Sequence, residues 1–89
     1  MDELAQLRGE MRAVDRDLLL LVARRMRTAQ RIGAAKRKRG LPVRNYEVEG
    51  DIMRATRAFC KRRGIDAEVG EELMRTLIRA SVRVQEDSP

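Results

Sequence analysis

The first 39 residues carry an apolar pattern that only a long α-helix places on one side of the chain. Apolar residues recur at intervals of three and four, and no proline interrupts the chain before Pro42. A cluster of cations, a glycine and a proline then coincide at residues 36–42, as is typical of a helix end. We therefore predict a first helix from about residue 3 to about residue 39. Its apolar row consists of Leu4, Leu7, Met11, Val14, Leu18, Leu21 and, further along, Ile32.

The length of this helix constrains how the chain can bury it. At 1.5 Å per residue the helix is about 55 Å long, whereas a compact chain of 89 residues has a radius of gyration of only ~12 Å. The rest of the chain is too short to cover both ends of the apolar row. We therefore expect an intertwined homodimer. The alternative is a three-helix monomer whose first helix breaks at Gly33.

Two shorter helices are expected after the first one. The second begins after the cap candidate Asn45 and ends at Gly64, and the third follows the cap candidate Asp66 and ends near Gln85, before a polar tail at 86–89. The fold class predicted is all-α, with long, short and medium helices in one domain over 1–89 and six helices in the homodimer. The residues expected to face inward are Val48, Ile52, Ala55 and Phe59 in the second helix and Val69, Leu73, Leu77, Ala80 and Val84 in the third.

Composition excludes several classes of chemistry. The chain has no histidine and a single cysteine, Cys60, so histidine bases, zinc cages and internal disulfides are not available to it. We expect no metal and no cofactor. The longest apolar run is the six residues 18–23, and the first residues are acidic, where a signal peptide would be basic. We therefore expect a cytoplasmic protein that does not enter a membrane.

Positive charge is concentrated in one part of the chain. Residues 24–44 contain nine basic residues and no acidic one, within a net charge of +6. Such a block is either a solvated helix face or a surface that attracts anions. A basic helical module that binds nucleic acid is one alternative, but the cations point around the helix at every angle and lack polar neighbours for reading bases. We expect no nucleic acid partner.

Charged and polar side chains also fall on helix faces that should be apolar. Arg25, Ile32 and Lys36 lie within about 20° of one helical line, and a buried charge is costly without a partner. Taken singly, each such residue could be a snorkelling side chain or part of a salt bridge between subunits. Together they predict a pocket for a small anion that carries a hydroxyl group. The other members are Arg8 beside the same row, Glu49 in the second helix, and Ile78, Ser81 and Gln85 in the third.

In their order along the chain, these residues resemble the all-helical class of chorismate mutases. The resemblance covers residues 4–85 and implies an intertwined dimer of three-helix chains. It also implies the cofactor-free rearrangement of chorismate to prephenate, a step of the shikimate pathway towards phenylalanine and tyrosine. The matching segments are Leu7-Arg8, Val14-Asp15, Leu18-Leu19, Ala23-Arg24-Arg25, Ile32-Gly33, Ala35-Lys36, Leu41-Pro42-Val43-Arg44, Glu49, and Ile78-Arg79-Ala80-Ser81 with Gln85.

The resemblance assigns a role to each site residue. Lys36 and Gln85 would donate hydrogen bonds to the ether oxygen on which negative charge develops. Arg25 and Arg8 of the partner subunit would hold the two carboxylates. The remaining roles are support of a carboxylate by Ser81, acceptance from the ring hydroxyl by Glu49, and apolar walls from Ile32, Ile52 and Ile78.

Two positions depart from the family pattern near the start of the second helix. Asn45 stands where the family usually has Asp, and Val48 stands where it usually has Arg. Both lie on the side that would recognise the ring hydroxyl, so a 4-amino-4-deoxychorismate mutase is an alternative function. An isochorismate pyruvate lyase of the same fold and a non-catalytic regulatory homologue that binds a partner enzyme are further alternatives. The chain is either free-standing or the front domain of a bifunctional enzyme, with 86–89 as a linker stub.

Overall fold

The computed structural model describes residues 2–87 and consists of three α-helices. The helices are α1 (Glu3–Arg39), α2 (Tyr46–Arg63) and α3 (Ala67–Asp87). The predicted all-α fold of long, short and medium helices is confirmed. The third helix was expected to end near Gln85, but it continues through Glu86 and Asp87. The last two residues of the expected polar tail lie outside the described residues.

Short polar side chains and glycines determine where the helices begin and end. Asn45 accepts a hydrogen bond from the backbone N–H of Val48 at 3.1 Å, which satisfies one of the free donors at the start of α2. Asp66 caps α3 in a similar way, because its side chain accepts a hydrogen bond from the backbone N–H of Glu68 at 2.9 Å. Gly40 and Gly64 follow α1 and α2 with φ of 66° and 67°, the left-handed region that favours glycine. The predicted helix boundaries rest on these four signals.

The helix α1 is continuous through Gly33, so the alternative of a helix broken at that residue is wrong. Of the described residues, those of α3 pack against both α1 and α2, whereas α1 and α2 do not pack directly on each other. The chain measures 58 × 28 × 14 Å, and a helix with its side chains is about 10–12 Å across. One chain is therefore a layer scarcely more than one helix thick.

The described residues, 2–87, do not enclose an apolar core. The radius of gyration of the chain is 16.5 Å, well above the ~12 Å of a compact chain of this length. Few of the described residues are buried, and most of those are small: Ala29, Gly33, Cys60, Ile78 and Gln85.

The residues predicted to face inward are largely exposed within one chain. In α2, Val48 and Phe59 are about half exposed, and in α3 Val69 and Leu73 are 59% and 50% exposed. A single chain therefore leaves these faces largely open, and their expected inward packing would have to come from the partner chain of the predicted homodimer. The helices approach each other closely at two glycines: a Cβ atom on Gly33 of α1 would touch Gln85 of α3, and one on Gly70 of α3 would touch Cys60 of α2. The row on α1 is equally open, with exposures between 51% and 62% at Leu4, Leu7, Met11, Val14, Leu18 and Leu21.

A search of the described helices for a membrane-spanning segment finds none that is sufficiently long and apolar.

Candidate active site

A cavity of about 390 Å³ opens between the C-terminal half of α1, the start of α2 and the end of α3. It gathers residues that are far apart in the sequence, and ten of the eleven residues singled out for the site line it. Arg8 does not, because it lies on the exposed N-terminal half of α1. The ten are Arg25, Ile32, Lys36, Asn45, Val48, Glu49, Ile52, Ile78, Ser81 and Gln85.

The Arg25 side chain is held in place by α3. Its Nη1 donates to the carbonyl oxygen of Leu77 at 3.1 Å and to the hydroxyl of Ser81. A guanidinium group has five N–H donors in a fixed plane, so Nε and Nη2 remain for a ligand. Both acceptors on α3 are uncharged, and the positive charge of Arg25 is therefore not cancelled.

Lys36 is bonded in a comparable way at the other end of the cavity. Its Nζ donates to Oε1 of Gln85 at 2.9 Å and to the carbonyl of Val43. Because a lysine can only donate, Gln85 must present its oxygen to Lys36, which leaves its amide N–H groups as donors. Gln85 is only 7% exposed. The pair thus places two kinds of hydrogen-bond donor side by side where little water reaches.

Glu49 differs from these cations because its charge is already paired. Arg44 forms a two-point ion pair with it, at 2.7 Å from Nη2 to Oε1 and 3.1 Å from Nε to Oε2. The Arg44 guanidinium also lies 4.6 Å from the centre of the Tyr46 ring. The hydrogen bond to Glu49 raises the pKa of Arg44, so the guanidinium stays protonated. This end of the cavity is therefore close to neutral, since its other polar group, Asn45, is uncharged.

The two departures from the family pattern lie at this neutral end. Asn45 lines the cavity, and its side-chain oxygen is committed to the backbone of Val48 as a helix cap. Aspartate would accept the same bond, so Asn45 keeps the capping function without the charge. Val48 adds apolar surface where the family usually has a cation.

Four further residues line the cavity that sequence reasoning did not assign to the site. Ala29 lies four residues after Arg25 and Val82 four residues after Ile78, so the helical period already applied to their neighbours could have found both. Val43 lies in the loop after α1 and contributes its backbone carbonyl. A loop has no regular period, so the sequence could not predict this contact. The four are Thr28, Ala29, Val43 and Val82.

The arrangement separates charge along an apolar slot. No acidic side chain among residues 2–87 forms an ion pair with Arg25 or Lys36, and Gln85 and Ser81 lie beside them. The paired Glu49 offers carboxylate oxygens at the neutral end. The apolar walls come from both sides of the slot, Ile32 from α1 and Ile78 from α3. Such a site suits a small molecule with two negative charges, an apolar ring and an uncharged hydroxyl group.

Comparison with known proteins identifies a family. A family model described as chorismate mutase type II matches residues 7–86 of the chain. The T-protein of Haemophilus influenzae is 33% identical over 81 residues, which are 91% of this chain and 22% of that protein. The T-protein of Enterobacter agglomerans is 29% identical over 85 residues, 96% of this chain and 23% of that protein.

A protein closer to this chain in length is also similar. The chorismate mutase of Methanocaldococcus jannaschii is 27% identical over 85 residues, which are 96% of this chain and 86% of that protein. The chain thus spans less than a quarter of the two T-proteins and most of the Methanocaldococcus protein.

Proposed function

The chain belongs to the chorismate mutase type II family, and on this premise we propose that it catalyses the rearrangement of chorismate to prephenate. One observation carries the proposal: a single cavity holds two uncompensated cations, a buried amide donor and a paired carboxylate at its far end. Chorismate has two carboxylates, an enolpyruvyl ether and one ring hydroxyl. Its chemical groups therefore have counterparts along the slot.

The reaction suits the donors that the cavity provides. In the rearrangement the ether C–O bond breaks as a C–C bond forms within one molecule, so no proton, metal or covalent intermediate is required. Negative charge develops on the ether oxygen in the transition state, and preorganised donors stabilise it. In this proposal Lys36 Nζ and the Gln85 amide supply those donors. Their mutual hydrogen bond of 2.9 Å keeps them adjacent before the substrate arrives.

Arg25 would hold one carboxylate of the substrate. Its bonds to Leu77 and Ser81 orient the guanidinium plane, and the free edge of that plane can form two parallel hydrogen bonds to a carboxylate. Fixing the substrate in a folded conformation brings the two reacting carbons together, which lowers the entropic part of the barrier. The apolar walls would pack against the ring.

The second carboxylate is the reason to propose a homodimer that shares its sites. Arg8 lies 17 residues before Arg25 on the same helix, about 25 Å along its axis at 1.5 Å per residue, so it cannot reach the cavity of its own chain. If two copies of α1 cross antiparallel near residues 16–17, Arg8 of the partner subunit lies at the height of Arg25. The same crossing would bury the exposed leucines of α1.

The charge at the neutral end favours chorismate over its 4-amino analogue. A protonated amino group at ring position 4 would require an unpaired carboxylate, whereas Glu49 is already neutralised by Arg44. A hydroxyl group needs only an acceptor, and the Glu49 oxygens can accept further bonds. Chorismate is therefore the substrate that the cavity fits better.

The basic block does not require a nucleic acid. Arg25 and Lys36, two of its nine cations, are bonded to α3 or to the loop after α1 rather than projecting freely. Their positions are explained by a small-molecule site, and we retain nucleic-acid binding only as an outcome of the test.

The decisive experiment follows the ultraviolet absorbance of chorismate after purified protein is added. We expect loss of chorismate and formation of prephenate, with much slower turnover of 4-amino-4-deoxychorismate. A folded, dimeric protein that leaves chorismate unchanged would contradict the proposal. A salt-dependent shift of DNA in a gel, without turnover, would favour the nucleic-acid alternative.

A further inference from the structure

One turn of α1 holds Gln85 at three points. Lys36 donates to the side-chain oxygen of Gln85, and Arg37 Nη1 lies 3.5 Å from its backbone oxygen. The third point is Gly33, which is buried directly against the same residue. Gln85 is thus located by its amide, its main chain and the base of its side chain.

A side chain at Gly33 would fit only if Gln85 on α3 moved by a few tenths of an ångström. A Cβ atom on Gly33 would lie 3.0 Å from Cγ, 3.2 Å from Cβ and 3.3 Å from Cα of Gln85. Rotation of the glutamine side chain could relieve the first contact. The contacts with Cβ and Cα could be relieved only by moving α3 away from α1, because neither atom changes position when the side chain rotates.

Helix stability alone does not account for this glycine. In a helix interior glycine is less favourable than alanine, and Gly33 occupies the interior of a 37-residue helix. The chain retains it at a position where α1 and α3 are in backbone contact and where the neighbouring residue on α3 is the buried amide of the cavity. The absence of a Cβ atom at Gly33 therefore allows α1 and α3 to lie as close together as they do here.

We propose that Gly33 is a positioning residue for the reaction: its missing side chain lets α3 approach α1 closely enough to hold the Gln85 amide beside Lys36. The inference rests on the proposed function, in which these two groups face the ether oxygen. Gly33 lies three residues before Lys36 on the same side of α1. Displacing α3 at Gly33 would therefore lengthen the bond between Lys36 and Gln85.

The test compares the same substitution at two glycines of α1. Gly33→Ala should lower kcat by up to about tenfold with little change in KM, because a misplacement of about 1 Å costs on the order of a hundredfold and these contacts require a shift of a few tenths of an ångström. Gly9→Ala is the matched control, because its Cβ would meet only the end of the Arg12 side chain at 3.8 Å. It should retain wild-type kcat. Both variants should remain helical by circular dichroism.

A double-mutant cycle separates positioning from general damage. Gln85→Ala removes the amide, so adding Gly33→Ala to it should cause no further loss of kcat if Gly33 acts through that amide. Two losses that multiply in the double variant would overturn the proposal, and so would wild-type kcat in Gly33→Ala alone.

A structural measurement separates this inference from the proposed function. The side-chain NH₂ resonances of Gln85, assigned by their disappearance in Gln85→Ala, should move in Gly33→Ala and stay in place in Gly9→Ala. Unchanged resonances in Gly33→Ala would overturn the positioning of Gln85. If the wild-type protein fails to convert chorismate, the proposed function fails, while the spectrum still decides whether Gly33 sets the position of Gln85.

Discussion

At the scale of single residues, the cations of the cavity are bonded but not neutralised. Arg25 and Lys36 donate to carbonyl, hydroxyl and amide oxygens, none of which is charged. Glu49, by contrast, faces a guanidinium at 2.7 Å. A hydrogen bond to a neutral acceptor orients a cation without cancelling its field, so the positive potential remains for a dianionic ligand.

Lys36 gives the sharpest test at this scale. Lys36→Ala should leave a folded protein that is nearly inactive, because it removes a preorganised donor whose loss costs on the order of a hundred- to thousandfold in rate. The loss should appear in kcat more than in KM, since the bond to the ether oxygen strengthens in the transition state. Steady-state kinetics on chorismate measures both constants.

Lys38→Ala is the matched control. Lys38 is exposed and lies two residues further along α1, turned about 200° from Lys36, so the variant should behave like the wild type. Equal losses in both variants, reduced together by salt, would indicate general attraction of anions by the basic block and count against a specific role of Lys36.

At the scale of the helix, Asn45 couples the cavity to the start of α2. The same side chain lines the cavity and accepts from the backbone N–H of Val48. This cap orients the first turn of α2, and Glu49 lies in that turn. The Asn45 departure from the family pattern is therefore compatible with an intact helix start.

Removal of the cap should be visible in stability. Asn45→Ala should destabilise the protein by about 1 kcal/mol per chain, because the N–H of Val48 loses its acceptor. Asn45→Asp should retain full stability, since a carboxylate accepts the same bond and interacts favourably with the helix N-terminus. Urea denaturation at fixed protein concentration measures both. An alanine variant as stable as the wild type would show that the cap is dispensable.

At the scale of the whole molecule, the exposed row on α1 predicts that folding and association occur together. Leu18→Glu should prevent dimerisation and lower helicity, because a carboxylate in a buried row lacks a partner. Analytical ultracentrifugation and circular dichroism measure the two effects. Arg16→Glu, on the same helix but turned about 200° from Leu18, should still dimerise.

A Leu18→Glu protein that remains a helical dimer would show that the row is not the interface. A stable wild-type monomer with full helicity would contradict the dimer altogether.

Shared sites predict complementation between two inactive variants. Arg8→Ala and Arg25→Ala homodimers should each lose most activity, because each site lacks one guanidinium. After subunit exchange, a heterodimer contains one site with both residues intact, so activity should return to about half of the wild-type value per heterodimer, since two equivalent sites are expected in a twofold dimer. Heterodimers that form without activity would show that the two residues do not share a site.

The sequence by itself determined the helices and most of the cavity's membership. Helix boundaries follow from local signals, such as the cap at Asn45 and the glycines at Gly40 and Gly64. Such signals involve residues that are close together in the sequence, so the sequence alone reveals them. Polar residues on apolar faces identified Arg25 and Lys36 in the same way, because the helical period states which residues share a side. The resemblance to a family supplied the proposed roles.

Only the tertiary structure decided which faces of the helices meet. The apolar stripes expected to face inward are largely exposed within one chain, and α1 contacts α3 at Gly33, where a Cβ atom would touch Gln85. Hydrophobic periodicity reports that a face is buried but not which partner covers it, and the closeness of two backbones depends on residues whose side chains are absent or small. The pairing of Glu49 with Arg44 and the carbonyl of Val43 beside Lys36 likewise depend on the path of a loop, for which the sequence contains no period.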